Sequence, residues 1–475
     1  MPNKDNHLIE ESILPTTQNQ RTLGSMGYTY IWICMAVIVA TFSLGAAGIS
    51  GLNLATVAMI IFLANLTLGL VMLLTADIGT EHGLSFAAFL RAPFGTFGTH
   101  LPALMRGVVA SGWFGVQTYL GALALNGIFS YLTGFDNWIA WYVIFAILQI
   151  TNTAMGFQAV EKLARYSAPA ILIVSIWMYY TVEGIAQVKG INIWTFAGSQ
   201  DIDMAILFVA NMSWWSTLAV DIPNITRYLK TTPGEKKFLK RNKNTLIAQF
   251  IALPVTQAWI AVIGAVSFIA AGDWNPVNVI QENGTGLTLL ILLVLVTLAQ
   301  WSTNTTANLI PAALTFINAL APRLNYVGGI ILAGMVGTLL MPWNLLNELF
   351  TFLGLAGSAL SAVGGIMICD YFVIRKRQLN VPDLYNEDGQ YKYFKGVNPA
   401  GIIALIVGAG FALNNLNYAY VYGFPIAGIV YYVLMKIWIL KIYPQAEFDN
   451  PSQEKYLATS VGKSWNYSCG KFKRK

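Results

Sequence analysis

No Asp, Glu, Lys or Arg occurs between Thr22 and Ala76. A stretch of that length holds two helices of about 20 residues, each able to cross the hydrocarbon layer of a bilayer. Further charge-free runs cover Gly107–Phe135, Asn137–Val160, Tyr166–Val182, Met204–Val220 and Asn244–Gly272. Asn283–Pro322, Leu324–Asn347, Leu349–Cys369 and Gly396–Met435 complete the series, the last with room for two short helices around Asn414–Phe424. Two spans in the first run, two in the last and one in each of the other eight predict about twelve. Only 11% of the 475 residues are charged and 56% are hydrophobic. A soluble domain carries about 25% charged residues and could not hide this much apolar surface. Lipid accepts only helices or closed barrels. Barrel strands alternate over about 10 residues, whereas these runs are longer and apolar on all sides. The expected class is an all-α polytopic membrane protein.

The remaining charges are sorted between loops. Arg227–Lys243 carries seven bases: Arg227, Lys230, Lys236, Lys237, Lys240, Arg241 and Lys243. Lys162 with Arg165, the group Arg375, Lys376 and Arg377, and the tail Lys471–Lys475 add more. Alternate loops hold Asp136, Glu183, Asp201, Asp273 and Glu282, with Lys189 the single base among them. The net charge of +6 is therefore a topology signal and not a nucleic-acid footprint. With an even helix count and basic loops inside, both termini are expected in the cytoplasm and the protein in the cell's inner (plasma) membrane. Cys34, Cys369 and Cys469 form no disulfide framework. The polar start, Met1–Gly27, has acids and no apolar core, which excludes a cleaved signal and predicts a cytoplasmic arm over 1–26.

A division at Glu183–Asp203 leaves five spans on either side, the arrangement of transporters built from inverted repeats. The expected units are a first repeat over 27–183, a second over 204–373, two further helices within 396–442 and a cytoplasmic tail over 443–475. The third span contains Trp113-Phe-Gly-Val-Gln117 and the eighth Trp301-Ser-Thr-Asn-Thr305, both turning polar in mid-membrane.

The eighth span carries the densest chemistry. Ala299-Gln-Trp-Ser-Thr-Asn-Thr-Thr-Ala-Asn308 holds seven uncharged polar side chains in an otherwise apolar helix. Ala299, Ser302 and Thr303 share one face, and Asn304 and Asn308 another. Interhelical bonding and back-bonding to the helix carbonyls explain one or two Ser or Thr. Seven in ten residues point to a lined cavity. Trp113 and Gln117 lie one turn apart, either as a packed ring beside a satisfied amide or as a stacking surface beside a donor–acceptor pair. Ser213-Trp-Trp-Ser-Thr217 places further aromatics in mid-span, away from the interfaces where Trp usually sits. Asp221 is a functional candidate as an intramembrane acid; equally, it could pair locally with Arg227 near the surface. Gly48-Ile-Ser-Gly51 looks like a protease serine loop, but His7, His82 and His100 all lie outside the charge-free runs. Gly462-Lys-Ser464 lacks the leading glycine of a phosphate loop. No acid–base constellation marks an enzyme, and no charged ring or carbonyl filter marks a channel.

At these residues the chain resembles the nucleobase–cation symporter family, and closely its bacterial hydantoin and allantoin members. The matching stretches are Trp113-Phe-Gly-Val-Gln-Thr-Tyr-Leu-Gly-Ala-Leu-Ala-Leu-Asn126, Asp221-Ile-Pro-Asn-Ile-Thr-Arg227, Gly272-Asp-Trp-Asn-Pro276, Ala299 to Asn308 and Asp370-Tyr-Phe-Val-Ile-Arg375. The resemblance implies a LeuT-type fold whose broken first and sixth helices meet the third and eighth at a midplane site. It implies that Trp113 and Trp215 sandwich a planar ring while Gln117 and Asn308 read its amide edges. It further implies a sodium ion held by the carbonyls of Cys34, Val37 and Ala299 and the hydroxyls of Ser302 and Thr303. Such oxygens suit a hard cation, and unwound helix supplies them. Three positions depart from the hydantoin transporters: Ile38 stands for a Gln, Trp214 for a Gly and Thr305 for a Pro. The implied activity is sodium-coupled import of hydantoin, allantoin, uracil, cytosine or a purine by alternating access, with proton coupling through Asp221 the alternative. A monomer is compatible with the sequence.

Overall fold

The computed structural model describes residues 6–283 and 286–474. The first charge-free run folds into a bent pair, α1 (Ser25–Ala36) and α2 (Thr41–Ile49), meeting at 54°. In chain order follow α3 (Leu54–His82), α4 (His100–Thr133), α5 (Trp138–Ala154), α6 (Phe157–Val188), α7 (Met204–Asp221) and α8 (Lys243–Ala271). Beyond them lie α9 (Leu287–Leu320), α10 (Tyr326–Leu339), α11 (Thr351–Ile374), α12 (Pro399–Leu413) and α13 (Leu416–Ile442). Among the described residues seven of these helices are long and apolar enough to cross a bilayer unaided, and the bent pair makes an eighth. The shorter α5, α10 and α12 are apolar as well. Leu63 and Leu70 on α3, Ile173 and Ile176 on α6, and Ile406 and Ile429 on the last two helices are exposed. That oily outer surface belongs to a multi-pass membrane protein.

The break between α1 and α2 falls on Val37-Ile38-Val39, three β-branched residues that lose rotamer freedom in a helix. Val37 leaves the helical region at φ −97°, ψ 77°. The two glycines where α2 crosses α8 explain how closely they pack. A Cβ on Gly45 would overlap the Ala261 carbonyl, and one on Gly264 the Phe42 carbonyl. The sixth span differs from the broken helix that the resemblance implies. α7 runs unbroken through Ser213–Thr217 and turns only at Ile222–Pro223. The residues within it include neither Gly nor Pro, so nothing interrupts its ladder.

The basic loop and both terminal arms gather at one end of the bundle. Thr16 N–H donates to Gly83 O at 2.8 Å, Lys230 N–H to Leu23 O at 2.8 Å, and Gly234 N–H to Thr459 O at 2.8 Å. Lys236, Lys237 and Lys240 are exposed there. Arg241, from the same loop, is buried against Asp77 and Glu81 of α3. Arg377 binds the same two acids at 2.9 and 3.1 Å. Ser460 Oγ of the tail donates to Glu81 at 2.8 Å. A second buried cluster joins Arg375 to Asp370 at 2.7 Å and to Glu447. Between α3 and α4, burial pulls the Arg91 guanidinium down to about 10. It remains charged at neutral pH and donates to Leu8 O, Leu384 O and Asn318 Oδ1. The acidic end is lighter: Tyr418 Oη donates to Asp203 at 2.6 Å, and Asp136 and Asp201 stand exposed.

Candidate functional site

The bend in α1–α2 lies against α9. Thr303 Oγ1 donates to Cys34 O at 2.6 Å, and Ser302 Oγ to Ala299 O at 3.3 Å. Val37 and Ala299 both line a cavity of about 30 Å³. Four of the five residues expected around sodium are thus linked by these bonds, and the fifth, Val37, lines the same seam. The set offers neutral oxygens that a hard cation accepts. Its hydroxyls presently bridge to helix carbonyls, contacts that a cation would replace.

On α4, Trp113 is buried with its ring 5.2 Å from that of Trp214 and 5.8 Å from that of Phe352. Trp215 turns the other way. Its ring lies 5.7 Å from that of Trp32, and its indole N–H donates to Gln257 Oε1. Gln257 in turn donates to Asn211 Oδ1 at 3.0 Å. So the ring that α7 lays on Trp113 is Trp214, with Trp215 beside it on the helix. Gln117, one turn from Trp113, is buried with its Oε1 unpartnered. Asn308 donates to Asn304 Oδ1 at 2.9 Å.

Asn304 organises this level of the bundle, a role the sequence reading missed. Its Nδ2 lies within hydrogen-bond distance of Phe114 O at 3.0 Å, Thr118 Oγ1 at 3.1 Å and Gln149 Oε1 at 2.8 Å. The available signal was its place one turn from Asn308 inside the polar run. A π-turn over Thr305–Leu309 follows directly, the kind of local widening common at functional sites.

Asp221 does not pair with Arg227. Arg106 Nε on α4 lies 2.9 Å from its carboxylate, both side chains are buried, and Arg106 Nη2 donates to Ala307 O of α9 at 2.9 Å. Arg227 lies instead over the Tyr228 ring. Arg106 precedes Trp113 by seven residues and Asp221 follows Trp215 by six. At 1.5 Å per residue, the pair sits about 10 Å from the aromatic level, toward the basic end.

Residues 15–439 match the family of permeases for cytosine and purines, uracil, thiamine and allantoin. The chain belongs to this permease family. It is therefore a transporter-family membrane protein and not an enzyme. A hydantoin permease of Microbacterium maritypicum is 31% identical over 457 residues, covering 95% of this chain and 93% of its own length. The structure of Mhp1, a nucleobase-cation-symport-1 family transporter, in a closed conformation with bromovinylhydantoin bound, is similar at a TM-score of 0.87. That match has 30% identity and covers 92% of this chain and 97% of the other. The inward-facing conformation of Mhp1 is similar at a TM-score of 0.81 with 29% identity, over 92% and 95% of the two chains. The permease described here thus superposes better on the closed form than on the inward-facing one.

Proposed function

We propose that this permease carries a small planar nitrogen heterocycle into the cell together with sodium, by alternating access. The candidate substrates are hydantoin, allantoin, uracil, cytosine and purines. The observation that carries the reading is the buried, unpartnered Gln117 Oε1 one turn from Trp113, an amide poised beside an aromatic face. Trp113 supplies one face for the ring, Trp215 the opposing face once a substrate displaces Trp214 from Trp113, and Gln117 and Asn308 supply the hydrogen bonds that identify it. Sodium is held by the carbonyls of Cys34, Val37 and Ala299 with the hydroxyls of Ser302 and Thr303. Support comes from the approach of Thr303 Oγ1 to Cys34 O, which sets an α9 hydroxyl against a carbonyl at the C-terminal end of α1. Coupling then requires each ligand to tighten the binding of the other.

The same proposal takes the chain as twelve spans, with α1–α2 one span and α7 another, arranged as repeats over 27–183 and 204–373 with two added helices. The basic end, holding the arm before residue 27 and the tail after 442, faces the cytoplasm of a cell whose inner membrane carries the protein as a monomer. A proton-coupled reading has one specific observation in its favour. Asp221 is a buried acid whose partner Arg106 lies on a different helix, so a rearrangement that parted them would expose a carboxylate to protonation. Uptake of labelled ureides and nucleobases into proteoliposomes, with a sodium or a proton gradient alone, decides between them. Transport of none of the panel would overturn the function itself.

A further inference from the structure

Gln300 on α9 is fully buried, yet neither its Oε1 nor its Nε2 has a hydrogen-bond partner. A desolvated amide with both ends unmade is destabilising, and in folded proteins such groups are rare enough to need a cause. Loose packing of α9 is not the cause. One turn on, Asn304 uses both ends of its amide.

The residue borders the cavity of about 30 Å³ beside the helix break, which Val37 and Ile38 also line. The other polar residue on that wall, Ser175, is occupied. Its Oγ donates to Leu172 O at 2.7 Å and accepts from the Trp259 indole at 2.9 Å. The cavity has room for one water or for one polar edge of a ring. Gln300, Asn304 and Asn308 follow at four-residue intervals along α9, with Asn308 inside the π-turn of Thr305–Leu309.

We propose that Gln300 is a specificity-determining residue whose amide pairs with an adjacent N–H and C=O on the substrate. A primary amide offers one acceptor and two donors. It therefore matches in one bidentate contact the lactam edge of a cyclic ureide or pyrimidine. A ring lacking that edge leaves the amide unmade and is rejected. This inference rests on the heterocycle reading above.

The test uses the purified full-length protein, with hydantoin, uracil and their ring N-methylated derivatives as ligands. Gln300→Leu removes the amide at similar volume, and Gln300→Met serves where the first variant does not fold. Binding of hydantoin or uracil should weaken about ten- to a hundredfold. Derivatives methylated on the nitrogen that meets Gln300 already lack the donor, so they should lose little further; this is the signature of a direct pair in a mutant cycle. The ligand-free variant should melt no lower than the wild type, because an unmade polar group has been removed. Unchanged affinity for the parent rings would overturn the inference, and so would equal losses for every parent ring and every methylated derivative. A wild-type protein that binds none of the ligands would instead overturn the transport reading, and this inference with it.

Discussion

Trp113 presents a face and Gln117 an edge, and the two kinds of residue should fail differently. A base-like ring stacked on an aromatic gains roughly 1–3 kcal/mol, whichever heterocycle it is. An amide left unmade by the wrong ligand costs about 1–3 kcal/mol, which is felt only by that ligand. Trp113→Ala or Trp215→Ala should therefore weaken every accepted substrate by similar factors, whereas Gln117→Leu or Asn308→Leu should change their rank order. Affinities of four or five ligands on each purified variant check this, and the reverse pattern would reassign the roles. For the ion, Ser302→Ala and Thr303→Ala each remove an oxygen from the seam at Cys34. Uptake should then require much more sodium while the fold persists. Sodium dependence unaltered in both variants would move the coupling elsewhere. These side chains were legible because a polar group inside a long apolar run has few other uses. The Trp214–Trp113 contact was not, since adjacent tryptophans differ only in which way an uninterrupted helix turns them.

At the scale of elements, three helices meet around one ion pair. Arg106 of α4 holds Asp221 of α7 and the Ala307 carbonyl of α9, about 10 Å to the basic side of the aromatics. An opening of the site that parts α7 from α4 and α9 at that end would break the pair. Removing one partner from a buried ion pair costs about 3–5 kcal/mol, whereas replacing both with apolar residues is often neutral. Asp221→Asn should lower the thermal midpoint clearly, and the double variant Arg106→Met with Asp221→Leu should recover most of the loss. A double variant as unstable as the single one would show that the charges do something other than pair. If Asp221 carries a coupling proton, Asp221→Asn would also abolish uptake driven by a proton gradient and leave sodium-driven uptake intact. The sequence left Asp221 between a functional role and a local pair with Arg227, the one cation visible nearby along the chain; Arg106 is 115 residues away and only the packing of α4 against α7 brings it close.

For the molecule as a whole, the two ends differ in kind. The buried network at the basic end draws on partners 164, 300 and 377 residues apart in sequence. No local pattern announces such pairing beyond Asp77 and Glu81 standing one turn apart on α3. The side of the membrane proposed for this end rests on charge bias alone. Cationic loops resist translocation, and Arg227–Lys243 holds seven bases. The opposite end carries exposed Asp136 and Asp201. Thiol labelling in intact cells tests the direction. Cys34 and Cys369 are buried and Cys469 is exposed, so a Cys469→Ser background is needed. In that background, Lys237→Cys should stay unlabelled by an impermeant maleimide until the cells are permeabilised, while Asp201→Cys should label from outside. Each residue is exposed on its own end of the bundle, so accessibility within the protein does not confound the comparison. Labelling of Lys237→Cys in intact cells would invert the topology. The seven bases would then lie outside, and the proposed import would have to run from the basic end to the acidic end.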